Sequence, residues 1–190
     1  MNSKQLENIN LEEVSNEEFA PYGQIWGREE GEPLEELANL KFYAYNAELE
    51  PAVEMVETGL LACNQKGRDI RYFERHPETS ETFIPIEGEC FFIMAPGDQG
   101  DTKPEVSRIR AFYLNGNLGV ALSAGNWHWP PIPSGERVKL LLIRKGSNSD
   151  PCDTVELKDI GLDTDPIDPL VSRSHSGLCG QCRRPKSGNN

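Results

Sequence analysis

Only three histidines occur in 190 residues, and two of them stand in polar clusters that interrupt strand-like sequence. The first cluster is Glu74-Arg75-His76, followed after four residues by Glu81 and after six more by Gly88. The second is Gly125-Asn126-Trp127-His128-Trp129. Imidazoles and carboxylates delivered to one pocket suit a borderline divalent cation such as zinc, nickel, manganese or iron. His76, Glu81 and His128 are therefore the candidate metal ligands. A bound cation lowers the pKa of a hydroxyl that it touches. A carboxylate nearby, Glu74 or Glu81, is then the candidate group to take the proton. Arg110 is the candidate clamp for an anionic substrate, because a guanidinium meets a carboxylate through two parallel hydrogen bonds. Plainer roles compete with these. His76 beside Pro77 can cap a strand end, Glu74 can pair with Arg71 or Arg75 on the surface, Arg110 can face solvent, and Trp127 and Trp129 can pack at the mouth of a pocket.

Positioning such groups calls for strands. From Leu40 the chain alternates short aromatic or β-branched runs with Gly, Pro and Asn punctuation, which predicts strands at 40–46, 55–64, 69–76, 81–86, 89–95, 107–114, 118–123 and 138–145. Glu74 and His76 share one face of their strand, since side chains alternate with a period of two. Many short strands at close spacing favour a β-sandwich or barrel over a parallel α/β sheet. The run from Val138 to Ile143 is the most apolar and is expected to be a central strand covered on both faces.

Ahead of this, 9–14 and 24–26 read as short strands. Between them Ser15 is expected to cap a helix over 16–20, with Glu18 three residues on. The acidic stretch 28–38 reads as a solvated loop or helical turn. Thr154 to Ile160 can add one more short element. The organisation expected is a lead-in over 1–39 packing on a barrel over 40–160, with a flexible C-terminal extension over 161–190. His175, Cys179 and Cys182 in that extension supply three zinc-type ligands where a structural site needs four. Cys63, Cys90 and Cys152 read as small buried hydrophobes.

Nineteen Lys and Arg against thirty-one Asp and Glu leave a net charge of −12. That balance argues against nucleic acid or an anionic membrane as partner. No apolar run approaches the roughly 20 residues of a membrane span, and the first residues lack a signal-peptide core, so the expectation is a cytoplasmic protein.

The two clusters resemble the paired motifs of the cupin superfamily. The first cupin motif reads His-x-His, three or four residues, Glu, six residues, Gly; here Glu74 replaces the first histidine, and His76, Glu81 and Gly88 match. The Gly-x-x-His turn of the second motif is matched by Gly125 to His128. Within that superfamily the chain is similar to the ureidoglycolate lyase family. The residues that carry this are Glu74-Arg75-His76-Pro77, Phe83-Ile84-Pro85-Ile86-x-Gly88, Arg110-Ala111-Phe112, Trp127-His128-x-Pro130 and Arg144-x-Gly146-Ser147. Family members commonly carry Tyr-His-Arg where this chain has Leu122-Ser123-Ala124, a histidine at Trp129 and a glutamine at Glu81. The resemblance implies a mainly all-β, cupin-type double-stranded β-helix (jelly-roll) barrel with a small N-terminal α/β lead-in. It implies a homodimer acting in allantoin catabolism on a small carboxylate substrate, ureidoglycolate, from which urea is eliminated to give glyoxylate; the glutamate at 81 in place of the family's glutamine adds to the reading of a divalent metal ion at the site. A non-catalytic cupin binding a small acid or sugar, and a metal cupin with isomerase or oxygenase chemistry, are the alternative readings.

Overall fold

The computed structural model describes residues 11–27, 32, 35–37, 40–42, 56–64, 71–98, 101–145 and 151–162. In chain order the first strands are β1 (Leu11–Glu13), β2 (Gly23–Trp26), β3 (Glu35–Leu37), β4 (Leu40–Phe42) and β5 (Val56–Asn64). There follow β6 (Tyr72–Arg75), β7 (Glu81–Glu87), β8 (Cys90–Ala95), β9 (Arg110–Leu114) and β10 (Gly119–Leu122). The last are β11 (Trp127–His128), β12 (Ile132–Pro133), β13 (Arg137–Lys145) and β14 (Asp153–Glu156). A single short helix, α1 (Asn16–Phe19), lies among the described residues, together with 3-10 turns over Val106–Arg108 and Leu157–Ile160.

The strands pair as nested antiparallel partners. β8 and β9 pair innermost, β7 pairs β10 around them, β6 pairs β11, and β5 pairs β13 outermost. Successive pairs fall in alternate sheets, giving one sheet in the order β1-β9-β8-β11-β6-β14 and a second in the order β2-β10-β7-β13-β5. That alternation is the jelly roll used by cupins. The expected all-β, cupin-type barrel therefore stands on the pairing order itself.

The lead-in completes both sheets. β1 adds in parallel to β9, and β2 adds antiparallel to β10. Between them the Ser15 hydroxyl accepts the Glu18 N–H at 3.3 Å and starts α1, as the sequence predicts. The helix drops Phe19 into the core, edge-on to Phe112 with ring centroids 5.2 Å apart.

Two apolar clusters result from the alternation along β8. Phe92 and Met94 point between the sheets, where they meet Phe83, Phe112, Leu114, Val138 and Leu140. Phe91, Ile93 and Ala95 point the other way and pack under Phe73, Trp127, Ile132, Leu157 and Leu162. Each large apolar side chain so buried contributes about 1.5–3 kcal/mol.

β8, all of whose residues are buried, is thus covered on both faces, as is the shorter β10. β13, expected in that role, lies between β7 and β5, but Leu141 and Ile143 on its other face are only half-buried. Its apolar composition records a central position in the sheet and not a second covering layer.

Residues 35–37 correct a further expectation. They form a strand paired with β4, the register setting Glu36 opposite Lys41. Backbone pairing makes no demand for apolar alternation, so acidic composition hid it. The strand expected from 107 starts at Arg110, after the 3-10 turn. Cys90 is buried as expected, but Cys63 is only half-buried, and Cys152 is exposed because it stands just ahead of β14 at the sheet edge. The tail motif of His175, Cys179 and Cys182, and residues 9, 10, 43–46, 55, 69 and 70 of predicted strands, lie outside the described residues. No helix among the described residues is long and apolar enough to cross a membrane.

Candidate active site

The two polar clusters meet between the sheets because the jelly roll pairs β6 with β11. The register sets His128 opposite Glu74 on one side and Met94 on the other. Met94 belongs to the inner core, so all three side chains face inward, and His76 follows two residues after Glu74 on the same face. Glu81 opens β7 in the opposing sheet, on the same face as Phe83. The loops are tied together by backbone: the Gly125 N–H donates to the His76 carbonyl at 2.8 Å. Gly125 takes φ +84°, a conformation that glycine adopts without strain. Gly97 lies against it, and a Cβ at Gly97 would overlap the Gly125 carbonyl.

Asn126 is the residue that sequence reasoning passed over. Its side-chain Nδ2 donates to the Tyr22 carbonyl at 2.8 Å and to the Ser123 carbonyl at 3.3 Å, while its Oδ1 accepts the Gly97 N–H at 3.1 Å. Three backbone segments are held by one buried amide. Its own carbonyl lies 3.1 Å from His128 Nδ1. A carbonyl only accepts, so Nδ1 carries the proton and Nε2 is turned to the pocket. The signal available in the sequence was its place inside the Gly-x-x-His turn.

His128 Nε2 lies 3.1 Å from Glu81 Oε2 and 3.9 Å from Glu74 Oε1; His76 Nε2 is 3.7 Å from the same Glu81 oxygen. The imidazole rings are tilted, with centroids 6.0 Å apart. One carboxylate oxygen, on a residue only 5% exposed, therefore stands between two imidazoles. Burial is the largest influence on Glu81 and by itself raises its pKa. The hydrogen bond and charge of His128, with His76 and Arg144 adding, outweigh burial and hold the carboxyl below its ordinary range. For His128 burial is again the largest influence and pulls the pKa down. The Glu81 hydrogen bond and charge, the Asn126 carbonyl and Glu74 together carry it above the ordinary imidazole value. In the absence of a cation both shifts favour the charged forms, a carboxylate on Glu81 against an imidazolium on His128.

The same donors suit a cation. Glu74, His76 and His128 each offer a ligand atom, all within 4.8 Å of one another. Bonds of about 2.1 Å put octahedral donors about 3 Å apart when adjacent and about 4.2 Å apart when opposite, so small adjustments bring these atoms onto one ion. His128 is already oriented by a carbonyl on its other nitrogen, the usual support for a ligating imidazole. With neutral imidazoles the two carboxylates leave a buried excess of negative charge that a divalent ion offsets.

The other residues singled out in the sequence fall elsewhere. Arg110 stands on the inner-face row of His128, but Met94 lies between them. Its Nη1 donates to the Ser107 and Ile109 carbonyls, each at 3.0 Å, and its Nε lies 3.9 Å from Glu12. Trp127 points into the outer cluster, where the Arg75 guanidinium covers its ring at 4.6 Å. Trp129 packs edge-on to Tyr72. Neither tryptophan is a wall of the cluster of Glu74, His76, Glu81 and His128; both buttress the sheet that carries it.

A family model for ureidoglycolate lyase matches residues 6–163. The chain belongs to the ureidoglycolate lyase family. Among curated proteins, the ureidoglycolate lyase of Brucella anthropi is 28% identical over 151 residues, covering 76% of this chain and 87% of that protein. The ureidoglycolate lyase of Escherichia coli K12 is 37% identical over 90 residues, covering 47% of this chain and 54% of the relative, so that match spans about half of either length. Among solved structures, a mutant of Bacillus subtilis oxalate decarboxylase aligns with a TM-score of 0.38 at 18% identity, over 55% of this chain and 24% of that one. That likeness is loose, and the family assignment owes nothing to it.

Proposed function

We propose that this member of the ureidoglycolate lyase family removes urea from ureidoglycolate to leave glyoxylate, at a divalent cation held by His76, His128 and Glu81 with Glu74 beside them. The observation that carries the reading is Glu81 Oε2 standing between two imidazoles while Glu74 approaches from the facing strand. Nickel, zinc, manganese and iron all suit two imidazoles and carboxylate oxygens.

The substrate carries a hydroxyl and a urea nitrogen on one carbon, next to a carboxylate. When bound, the cation would acidify the hydroxyl. Glu74, half-buried and nearer to solvent than Glu81, accepts the hydroxyl proton. The oxygen's electron pair becomes the new C=O bond, the C–N bond breaks, and its electron pair leaves on the urea nitrogen. The proton taken from oxygen is returned to that nitrogen, so one carboxylate serves as base and then acid. Glu81, whose carboxyl is held below its ordinary range, stays ionised beside both imidazoles and is thus available to hold the cation with them. Phe83 and Met94 close the inner end of the pocket and exclude water from the new carbonyl.

Metal content of the isolated protein, measured beside turnover of ureidoglycolate, tests this. The expected result is close to one divalent ion per chain with glyoxylate formed, and loss of both in His128→Ala. Turnover that persists in His128→Ala with unchanged metal content would sink the proposal.

A further inference from the structure

At the level of Glu81 the second sheet presents one inner-face row, set by strand register: Glu57 on β5, Arg144 on β13, Glu81 on β7 and Leu122 on β10. Arg144 shares its face with Leu140 and Leu142, which pack into the inner core. Its side chain is 37% exposed, so it stands at the mouth and not in the core. Glu57 Oε2 lies 3.5 Å from Nη2, a long contact that steers the guanidinium without saturating its five donors.

The pocket otherwise presents carboxylates. Glu57, Glu74 and Glu81 face it, and an anion entering unaided would be repelled. We infer that Arg144 receives the carboxylate of the substrate, with Glu57 as the residue that positions it. This rests on the lyase reading above and adds to it the group that recognises the acid end of the substrate. Arg110, the candidate clamp in the sequence, is less suited, since its Nη1 is committed to the Ser107 and Ile109 carbonyls, its Nε faces Glu12, and Met94 separates it from His128. Arg144 by contrast lies directly across one strand pair from Glu81. A guanidinium there meets both carboxylate oxygens while the substrate hydroxyl reaches the histidines.

The test compares Arg144→Ala, Arg144→Lys, Arg110→Ala and the surface control Arg137→Ala by steady-state kinetics with ureidoglycolate. It adds calorimetric titration with glycolate, the simplest 2-hydroxy acid. Losing a charge-assisted bidentate contact is worth roughly 10–100-fold. Arg144→Ala should raise KM by about that factor, more than it lowers kcat, and weaken glycolate to match. Lysine should recover part of the loss, since it keeps the charge without the fork. Arg137→Ala should behave as the parent. An unchanged KM in Arg144→Ala, or a rise in Arg110→Ala in its place, overturns the inference. If the parent protein does not turn over ureidoglycolate, the lyase reading falls and glycolate decides Arg144 by itself: weaker binding in Arg144→Ala supports it, and equal or no binding by the parent refutes it.

Discussion

Glu81→Gln in metal-free protein isolates the electrostatics at the centre of the site. Glutamine keeps the shape and an acceptor oxygen beside His128 Nε2, and removes only the charge. At 3.1 Å and an effective dielectric of 20, the attraction is roughly 5 kcal/mol. Burial opposes both charges and is the largest single influence on each, so most of that attraction is offset. A charge-assisted hydrogen bond of this kind nets about 1.5–3 kcal/mol.

The dependence on pH gives the prediction its edge. Glu81, with its pKa lowered from 4.5, contributes stability that is present above that value and lost as pH falls through the folded pKa. His128, with its pKa raised from 6.5, contributes stability that is present below that value and lost as pH rises through the folded pKa. Both contributions are complete between pH 4.5 and 6.5. Urea denaturation at about pH 5.5 should therefore find Glu81→Gln less stable by about 1.5–3 kcal/mol. At about pH 9.5 the gap should close, or invert as the buried carboxylate loses its charged partner. A gap of the same size at both pH values would refute the reasoning.

Three further outcomes are expected. Asn126→Ala leaves the Gly97 N–H without its acceptor and removes the side-chain bonds to the Tyr22 and Ser123 carbonyls, which keep only the Ser123 and Asn126 backbone N–H groups, so it should cost about 1–3 kcal/mol in urea denaturation and weaken metal binding about 10–100-fold; full stability and affinity would contradict the positioning role given to it. The Glu87 carboxyl, bonded by Arg137 and Lys139, should titrate at about 2 by carbon NMR and move up in Arg137→Ala; a midpoint that ignores the substitution would count against the assignment. Burial raises the Cys90 thiol well above its ordinary pKa, so in native protein it should resist iodoacetamide while exposed Cys152 is alkylated, as peptide mass spectrometry will show. Alkylation of Cys90 without unfolding would mean that the inner core is open.

Much of the barrel was legible because its strands are short, alternating and separated by turn residues, and Ser15 announced α1. Glu74, His76, Glu81 and His128 could be grouped from spacing because each motif is local. What spacing does not carry is register. Asn126 holds the site through contacts to Tyr22 and Gly97, and Arg144 faces Glu81 only because β13 pairs β7 after a bulge that leaves Ile86 unpaired and 60% exposed. Arg110 read as the clamp from the sequence alone, but the strand order puts Met94 between it and His128. The strand at 35–37 was hidden for the opposite reason, since its pairing leaves no apolar trace.

Glyoxylate release from ureidoglycolate, followed as the purified protein is stripped of metal and then supplied with single divalent ions, tests the central claim most directly. Activity should disappear on stripping, return with at least one of nickel, zinc, manganese or iron, and not return in His128→Ala. Equal release from stripped, reloaded and His128→Ala protein would contradict it.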